Sequence, residues 1–160
     1  MRNHTNHMTS MKENHYRHLL VMIIFSFLSM YILMYAMVNT LGNVFNNLNE
    51  FYMAGLMTAP MVLIELVVMR AMYQNKRRNA LIITGSIVAG LLFFLLIRQQ
   101  VAISDKQFLR SMIPHHAGAI LMCQQASIQD AEIKDLCKTI ISSQQSEIDQ
   151  MKAKLLELEK

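Results

Sequence analysis

Adjacent histidines and nearby methionines are the residues of this 160-residue sequence with the most evident chemistry. Met112, His115 and His116 fall within about one helical turn, beside Pro114, which removes one backbone hydrogen bond. Imidazole nitrogens and thioether sulfurs together suit copper, and thioethers favour Cu(I) in particular. The pattern therefore predicts a copper ion at this point of the chain, with Cu(I) as the favoured oxidation state.

Further donors follow on a second helical run, which begins near residue 130 and is expected to fold back on the first. With a turn near residue 129 or 130, facing residues in such an antiparallel pair have numbers that sum to roughly 260. His116 then lies opposite Gln144, with Glu147 and Met151 close by. The predicted metal ligands are His115, His116, Met112, Met122, Glu147 and Met151.

The same residues also fit a purely structural role. One imidazole could bond Gln144 or Glu147 while the other lies at an interface, and the methionines could pack in the core. Zinc usually recruits cysteine thiolates or carboxylates beside histidine, and a di-iron bundle needs Glu-x-x-His pairs, which the sequence lacks. Copper binding and a structural histidine pair are therefore the two interpretations of this segment.

Two cysteines also face each other in the expected hairpin. Cys123 and Cys137 satisfy the facing rule, and their Cα atoms could approach to the ~5.5–6 Å that a disulfide needs. An oxidising compartment outside the membrane would favour this bond, so we expect a disulfide. The alternative is a pair of reduced, buried thiols at a close helix contact.

Capping residues indicate where the two hairpin helices begin. Ser104 followed by Gln107 is a capping-box pattern, and Asp130 is the predicted N-cap of the second helix. A hairpin of this size cannot bury a full core, because its apolar stripes lack a partner. We therefore expect a homodimer or a higher homo-oligomer that forms through the hairpin.

Residues 104–158 resemble the bacterial family called "domain of unknown function 305". The resemblance rests on the pattern MxPHHxxAIxM followed by IIxxQxxEIxxM, together with Asp105, Phe108, Glu132 and Leu136. It implies a ferritin-like helical bundle, of which this chain supplies two helices. Some members of the family look like periplasmic copper-binding proteins.

Three apolar runs precede the hairpin, at residues 19–41, 51–73 and 80–97. Each is long enough to cross about 30 Å of hydrocarbon as a helix. The fold class expected for the chain is all-α, with three transmembrane helices followed by an antiparallel helical hairpin that resembles half of a ferritin-like four-helix bundle. The lipid bilayer is therefore a predicted partner.

Basic residues predict how these spans are oriented. Residues 1–18 and the turn at residues 76–78 carry Lys and Arg, whereas residues 42–50 carry neither. By the positive-inside rule, the tail of residues 1–18 is cytoplasmic and the hairpin region 99–160 is extracytoplasmic, in the periplasm beside a bacterial inner membrane. Because the excess cations flank apolar runs, the net charge of +4 does not predict nucleic-acid binding.

The second span carries a stripe of residues at i+4 spacing, namely Met53, Met57, Met61, Glu65 and Met69. Methionines at such spacing usually fill gaps between helices. Alternatively, thioethers in a row could line a path for a soft cation, and an ionisable group inside a span often has a function. The histidines of residues 1–18 are interpreted as part of a solvated polar tail.

Taken together, these features predict a membrane-anchored periplasmic metal-binding protein that acts in copper binding or homeostasis. A membrane-bound oligomerisation module with a structural histidine pair is the alternative. A small copper transporter that uses the methionines of the second span is a further one. No nucleophile elbow, phosphate loop or acid–base carboxylate pair occurs, so we do not expect an enzyme.

Overall fold

The part of the chain that the structure describes folds into helices joined by short connections. The computed structural model describes the backbone from Arg2 and the side chains from Asn14 to Lys160. The helices are α1 (Arg2–Leu33), α2 (Leu48–Val68), α3 (Lys76–Arg98), α4 (Asp105–Gln125) and α5 (Ala131–Leu158), with short 3-10 turns at Met34–Met37 and Leu41–Asn43. The all-α prediction is confirmed. The tail histidines His4 and His7 lie outside the residues whose side chains the structure describes.

Three helices are long and apolar enough to cross a membrane, namely Asn14–Met37, Leu48–Val68 and Lys76–Arg98. They correspond to the three predicted spans, with bounds shifted by several residues. α2 ends at Val68 instead of near Tyr73, because residues 69–72 form the turn before α3. The N-cap of α3 is Asn75, whose side chain accepts the backbone N–H of Arg78 at 3.0 Å. Apolar residues continue on both sides of Arg70 in this turn, so hydrophobicity alone does not locate the end of α2.

Met1–Ile32 and Phe51–Gln99 form one compact unit, which contains the membrane-length helices. Within it, α2 approaches α3 closely at Gly55, where an added Cβ would lie 2.5 Å from the Phe93 ring. A cavity of about 440 Å³ remains between the three helices and is lined mainly by apolar and small side chains. Small residues therefore permit the close approach of α2 and α3.

The methionines of the second predicted span are partly exposed, and Met69 lies in the turn after α2. Met53, Met57 and Met69 are 37%, 46% and 36% exposed, and Glu65 accepts a hydrogen bond from the Tyr73 hydroxyl at 3.3 Å. The buried positions of α2 are Tyr52, Ala54, Gly55, Thr58, Ala59, Val62 and Leu66. None of the three methionines is therefore among the buried positions of α2.

Leu33–Glu50 and Gln100–Lys160 form a second compact unit. In it α4 and α5 pair as an antiparallel hairpin, whose buried core consists of Ile113, Ala117, Ile120, Ile148 and Leu155. These residues recur at helical spacing on each helix, so that one apolar stripe of α4 meets one of α5. The hairpin fold expected from the sequence is therefore confirmed.

The loop before α2 packs on this hairpin, a contact that no pattern in the sequence predicts. Val38 and Phe45 contact the hairpin core, and Asn49 donates a hydrogen bond from its amide to the hydroxyl of Ser111 at 3.2 Å. Part of the apolar surface that we expected a second chain to cover is therefore covered by this loop.

Two capping predictions have different outcomes. Asp130 caps α5 as predicted, because its carboxylate accepts the backbone N–H of Ile133 at 3.0 Å. Ser104 is the N-cap of α4, as the sequence predicts, but the capping box itself does not form, since the Ser104 side chain makes no capping hydrogen bond. Gln107 instead accepts the backbone N–H of Leu48 at 3.0 Å, which satisfies an otherwise unpaired donor in the first turn of α2.

Candidate metal centre

His116 lies in the hairpin interior, where α4 faces α5. The residue is 7% exposed, and its Nδ1 lies 2.9 Å from the carbonyl oxygen of Met112. Its Nε2 lies 2.6 Å from Oε2 of Glu147 on α5. The ring therefore connects the two helices and has a partner at each nitrogen.

The two partners decide where the hydrogens are. A carbonyl oxygen can only accept, so Nδ1 carries a hydrogen and donates it to Met112. Nε2 faces the carboxylate of Glu147. Histidines that bind metals typically fix the ring in this way, with one N–H on a backbone carbonyl and the other nitrogen on the metal. Nε2 is therefore the atom of His116 that would bind a metal ion.

The partner on α5 is Glu147, although the sequence placed Gln144 directly opposite His116. Side chains on a helix lean towards its N-terminus, so the carboxylate of Glu147 lies over the preceding turn, which contains Gln144. The Glu147 side chain is 50% exposed, so its carboxylate keeps contact with solvent. An approach from solvent to His116 therefore leads past Glu147.

Two of the predicted methionines lie one turn from this pair. Met112 precedes His116 by four residues on α4, and Met151 follows Glu147 by four residues on α5. Because the helices are antiparallel, both methionines lie towards the same end of the hairpin. Both are half-buried, and Met151 packs against the hairpin core. By register, Met112 and Met151 therefore lie one helical turn from the His116–Glu147 pair, on the side away from the hairpin turn.

The structure does not bring the other two predicted ligands to His116. His115 is exposed, and its ring centroid lies 6.0 Å from that of His116. Met122 is 53% exposed and follows His116 by six residues, which is about 9 Å along the helix axis. The six residues that the sequence grouped as one site are thus divided between an inner and an outer face of α4.

A metal site made of charged ligands and imidazoles alone is absent from the described residues. Among them, no three His, Cys, Asp or Glu side chains are grouped so that they could hold a metal ion. Cys123 and Cys137 are joined in a disulfide with Cα atoms 5.3 Å apart, so neither offers a thiolate.

These features define an all-helical protein with three membrane-length helices and a polar pair inside a helical hairpin. Residues 94–155 match the family described as "Domain of unknown function (DUF305)". The chain is also 38% identical over 136 residues to "Uncharacterized protein L153" of Acanthamoeba polyphaga mimivirus, a match that covers 83% of this chain and 88% of that protein. The chain belongs to the DUF305 family.

The match to the viral protein extends beyond the hairpin. It covers 83% of the chain, and the hairpin region from residue 99 is much shorter than that. Most of the region with the membrane-length helices is therefore shared with this relative. No solved structure matches the chain.

Proposed function

We propose that this protein is a membrane-anchored copper-binding protein that holds Cu(I) in its hairpin. The ligands are Nε2 of His116, the carboxylate of Glu147 and the thioethers of Met112 and Met151. One observation carries the proposal. The Nδ1–H of His116 donates to the Met112 carbonyl, which leaves Nε2 pointed at a half-exposed carboxylate.

The choice of copper follows from the available donors. Zinc sites in proteins are usually completed by thiolates, carboxylates or further imidazoles. The disulfide occupies both cysteines, and among the described residues no third His, Cys, Asp or Glu is grouped with His116 and Glu147 so that the three could hold a metal ion. Methionine thioethers are the remaining donors, and soft sulfur ligands favour Cu(I).

We further propose that the hairpin is extracytoplasmic, in the periplasm beside a bacterial inner membrane. Support comes from the charges of the connections: the turn before α3 carries Lys76, Arg77 and Arg78, whereas residues 42–50 carry no basic residue. Three crossings put the hairpin on the same side as residues 42–50. The hydrogen bonds from this loop to Gln107 and Ser111 agree with that arrangement.

In this setting the protein would sequester copper, or pass it to or from a neighbouring protein, without turnover. The half-exposed Glu147 suits such a role, because a metal ion bound by a solvent-accessible ligand can be transferred to another molecule. We also retain the homo-oligomer as part of the proposal, since large apolar residues such as Ile133 and Leu136 are 49% and 57% exposed on α5.

The proposal is tested by Cu(I) competition titrations of the full-length protein in detergent, with a chromophoric Cu(I) chelator. We expect His116→Ala to weaken Cu(I) binding more than tenfold, because it removes the central ligand. Gln144→Ala is the matched control: it changes the residue directly opposite in register, which has no assigned ligand role, and should leave the affinity unchanged. Equal affinities of His116→Ala and the parent protein would refute the proposal.

The competing function is that of a membrane-bound helical module whose histidine is structural. The burial of His116 and the engagement of both its ring nitrogens favour this alternative. It predicts that His116→Ala loosens the hairpin while Cu(I) binding, if any, is unchanged. Stability and affinity measured on the same variant therefore separate the two functions.

A copper-transport function is favoured by a different observation, the outward-facing Met53 and Met57 of α2. Thioethers on an open helix face could line a path between two protomers. Uptake of Cu(I) into vesicles that contain the full-length protein tests this function. The Met57→Leu variant should slow uptake, and an unchanged rate would exclude the path.

A further inference from the structure

The cavity between the three membrane-length helices is large enough for a ligand. Its volume of about 440 Å³ lies within the range of roughly 300–1,000 Å³ that is typical of ligand sites. Close-packed protein interiors, by contrast, leave few voids larger than a water molecule. A Cβ added at Gly85, which lines the cavity, would meet nothing within 4 Å. α3 also has no buried residue, so its packing within this chain is incomplete.

The lining of the cavity favours hydrocarbon over water. Of the residues that line it, only Thr58 and Ser86 have polar side chains. The hydroxyl of Thr58 donates to the carbonyl oxygen of Ala54 at 2.7 Å, so its hydrogen is already used. A water molecule in a cavity needs about 2–4 polar partners, which this lining does not supply. The hydrocarbon that surrounds a membrane-spanning helix is the acyl chain of a lipid.

The cavity also has the length of one bilayer leaflet. On α3 its lining begins at Ile82 and ends at Phe93, which corresponds to about 16 Å of helix axis. One leaflet supplies about half of the ~30 Å hydrocarbon thickness of a bilayer. An acyl chain from one leaflet therefore matches the length of the cavity.

Basic side chains gather at the Ile82 end of the cavity. There α1 meets the turn before α3, since the Tyr16 hydroxyl donates to Oδ1 of Asn79 at 2.6 Å. Arg78 precedes Ile82 by four residues and so continues the stripe of α3 that lines the cavity. Its guanidinium carbon lies 5.5 Å from the centre of the Tyr16 ring. The exposed cations at this end of the unit are Arg17, Arg70, Lys76, Arg77 and Arg78.

This end of the unit is strongly positive. Among the described side chains of the unit, Glu65 is the one acid, and it accepts a hydrogen bond from the Tyr73 hydroxyl. Basic pockets between membrane helices bind anionic lipid headgroups. The positive-inside rule accounts for basic residues at this end, but not for an apolar cavity of leaflet length directly beside them. Charge and cavity together are complementary to a lipid with an anionic headgroup.

We propose that the three membrane-length helices bind one anionic phospholipid. One acyl chain lies in the cavity, and the phosphate lies one turn beyond Ile82, beside Arg78. A guanidinium suits this position, because it can donate two parallel hydrogen bonds to a phosphate. The inference rests on the membrane placement in the proposed function and is independent of copper.

The acyl-chain site is tested by native mass spectrometry of the full-length protein in detergent, titrated with phosphatidylglycerol. We expect one lipid per chain to bind more tightly than any further lipid. Ser86→Leu fills the cavity and should weaken this binding by about tenfold or more, since displacement of about two CH₂ groups already accounts for that factor. Thr84→Leu is the matched control, because Thr84 is exposed and does not line the cavity, and it should leave binding unchanged.

The headgroup site is tested by the same titration with phosphatidylglycerol and with zwitterionic phosphatidylcholine. Arg78→Gln should weaken the binding of phosphatidylglycerol about fivefold, the factor expected for one cation at a membrane surface, and leave that of phosphatidylcholine unchanged. Arg78→Lys keeps the charge and should retain most of the affinity. Arg98→Gln, an exposed arginine at the other end of α3, is the control and should have no effect.

Three results would overturn the proposal. These are a parent protein that retains no single tight lipid, equal effects of Ser86→Leu and Thr84→Leu, and equal effects of Arg78→Gln and Arg98→Gln. A lipid-free dimer that Ser86→Leu dissociates would also overturn it, because a second copy would then occupy the cavity. Release of the protein from membranes without detergent would refute the membrane anchor as well, whereas failure of the lipid titrations alone leaves the anchor and the copper site intact. Ser86→Leu should not change the Cu(I) affinity.

Discussion

Loss of the interaction between His116 and Glu147 by mutation should lower the free energy of opening of the hairpin by about 1–2 kcal/mol in the absence of metal. A hydrogen bond to a charged group contributes about 1.5–3 kcal/mol, and loss of one partner of a fully buried pair costs about 3–5 kcal/mol. Here only one partner is buried, because the side chains of His116 and Glu147 are 9% and 50% exposed. Solvent therefore compensates part of the lost interaction, and the expected cost lies near the lower end of the range for a hydrogen bond to a charged group.

A double-mutant cycle isolates this contribution. Hydrogen–deuterium exchange of α4 and α5 amides is measured for the metal-free full-length protein, for His116→Ala, for Glu147→Ala and for the double variant. The cycle cancels the packing that each alanine removes by itself. A coupling of about 1–2 kcal/mol corresponds to a factor of roughly 5–30 in the opening equilibrium of the hairpin.

The exposed pair Lys138–Asp135 on α5 provides the control cycle. Its nitrogen–oxygen distance is 2.7 Å, close to that of the inner pair, but its side chains are 77% and 74% exposed. Its coupling should not exceed about 0.5 kcal/mol, as for other exposed pairs at this helical spacing. Additive effects of His116→Ala and Glu147→Ala, within about 0.3 kcal/mol, would refute the assignment of a connecting bond.

Three further predictions concern packing and covalent constraint. Ile148→Ala should destabilise the hairpin by about 2–5 kcal/mol in the same exchange experiment, because Ile148 is fully buried. A loss of stability below about 1 kcal/mol would contradict the position of Ile148 in the hairpin core. Replacement of both Cys123 and Cys137 by serine should lower the free energy of unfolding by about 3 kcal/mol, because the disulfide closes a loop with a sequence separation of 14 residues. Thermal unfolding with and without reductant should show that only the parent protein is destabilised by reduction. Gly55→Ala should lower the thermal stability of the detergent-solubilised protein, because the added Cβ would lie 2.5 Å from the Phe93 ring of α3. In the control variant Gly85→Ala the added Cβ meets nothing within 4 Å, so this substitution should be neutral or stabilising. Equal effects of the two substitutions would refute the close approach of α2 and α3.

Local signals in the sequence were sufficient for the layout of the hairpin. The cap at Asp130 and the recurring apolar positions predicted two antiparallel helices, because both depend on neighbours within a few residues. Near the turn, the facing rule also paired Cys123 with Cys137, the two residues that the structure joins. Further from the turn the rule selected Gln144, while the long side chain of Glu147 reaches His116 from the next turn.

Other features depend on contacts between distant segments and left no local signal. α4 has two apolar stripes, and periodicity alone does not reveal which one α5 covers. His115 and His116 were therefore grouped as one site, although they lie on different faces of the helix. The contacts of Val38 and Phe45 with the hairpin core come from a short, asparagine-rich loop that has no helical period.

The most direct test of the central claim is X-ray absorption spectroscopy at the copper edge of the full-length protein loaded with Cu(I). We predict nitrogen or oxygen neighbours together with sulfur neighbours in the parent protein. The His116→Ala variant, loaded in the same way, should lose the contribution of the imidazole ring, while the carboxylate and sulfur neighbours remain. A copper spectrum that is identical in the two proteins, or that contains no sulfur neighbour in the parent, would contradict a copper centre built on His116 and methionine.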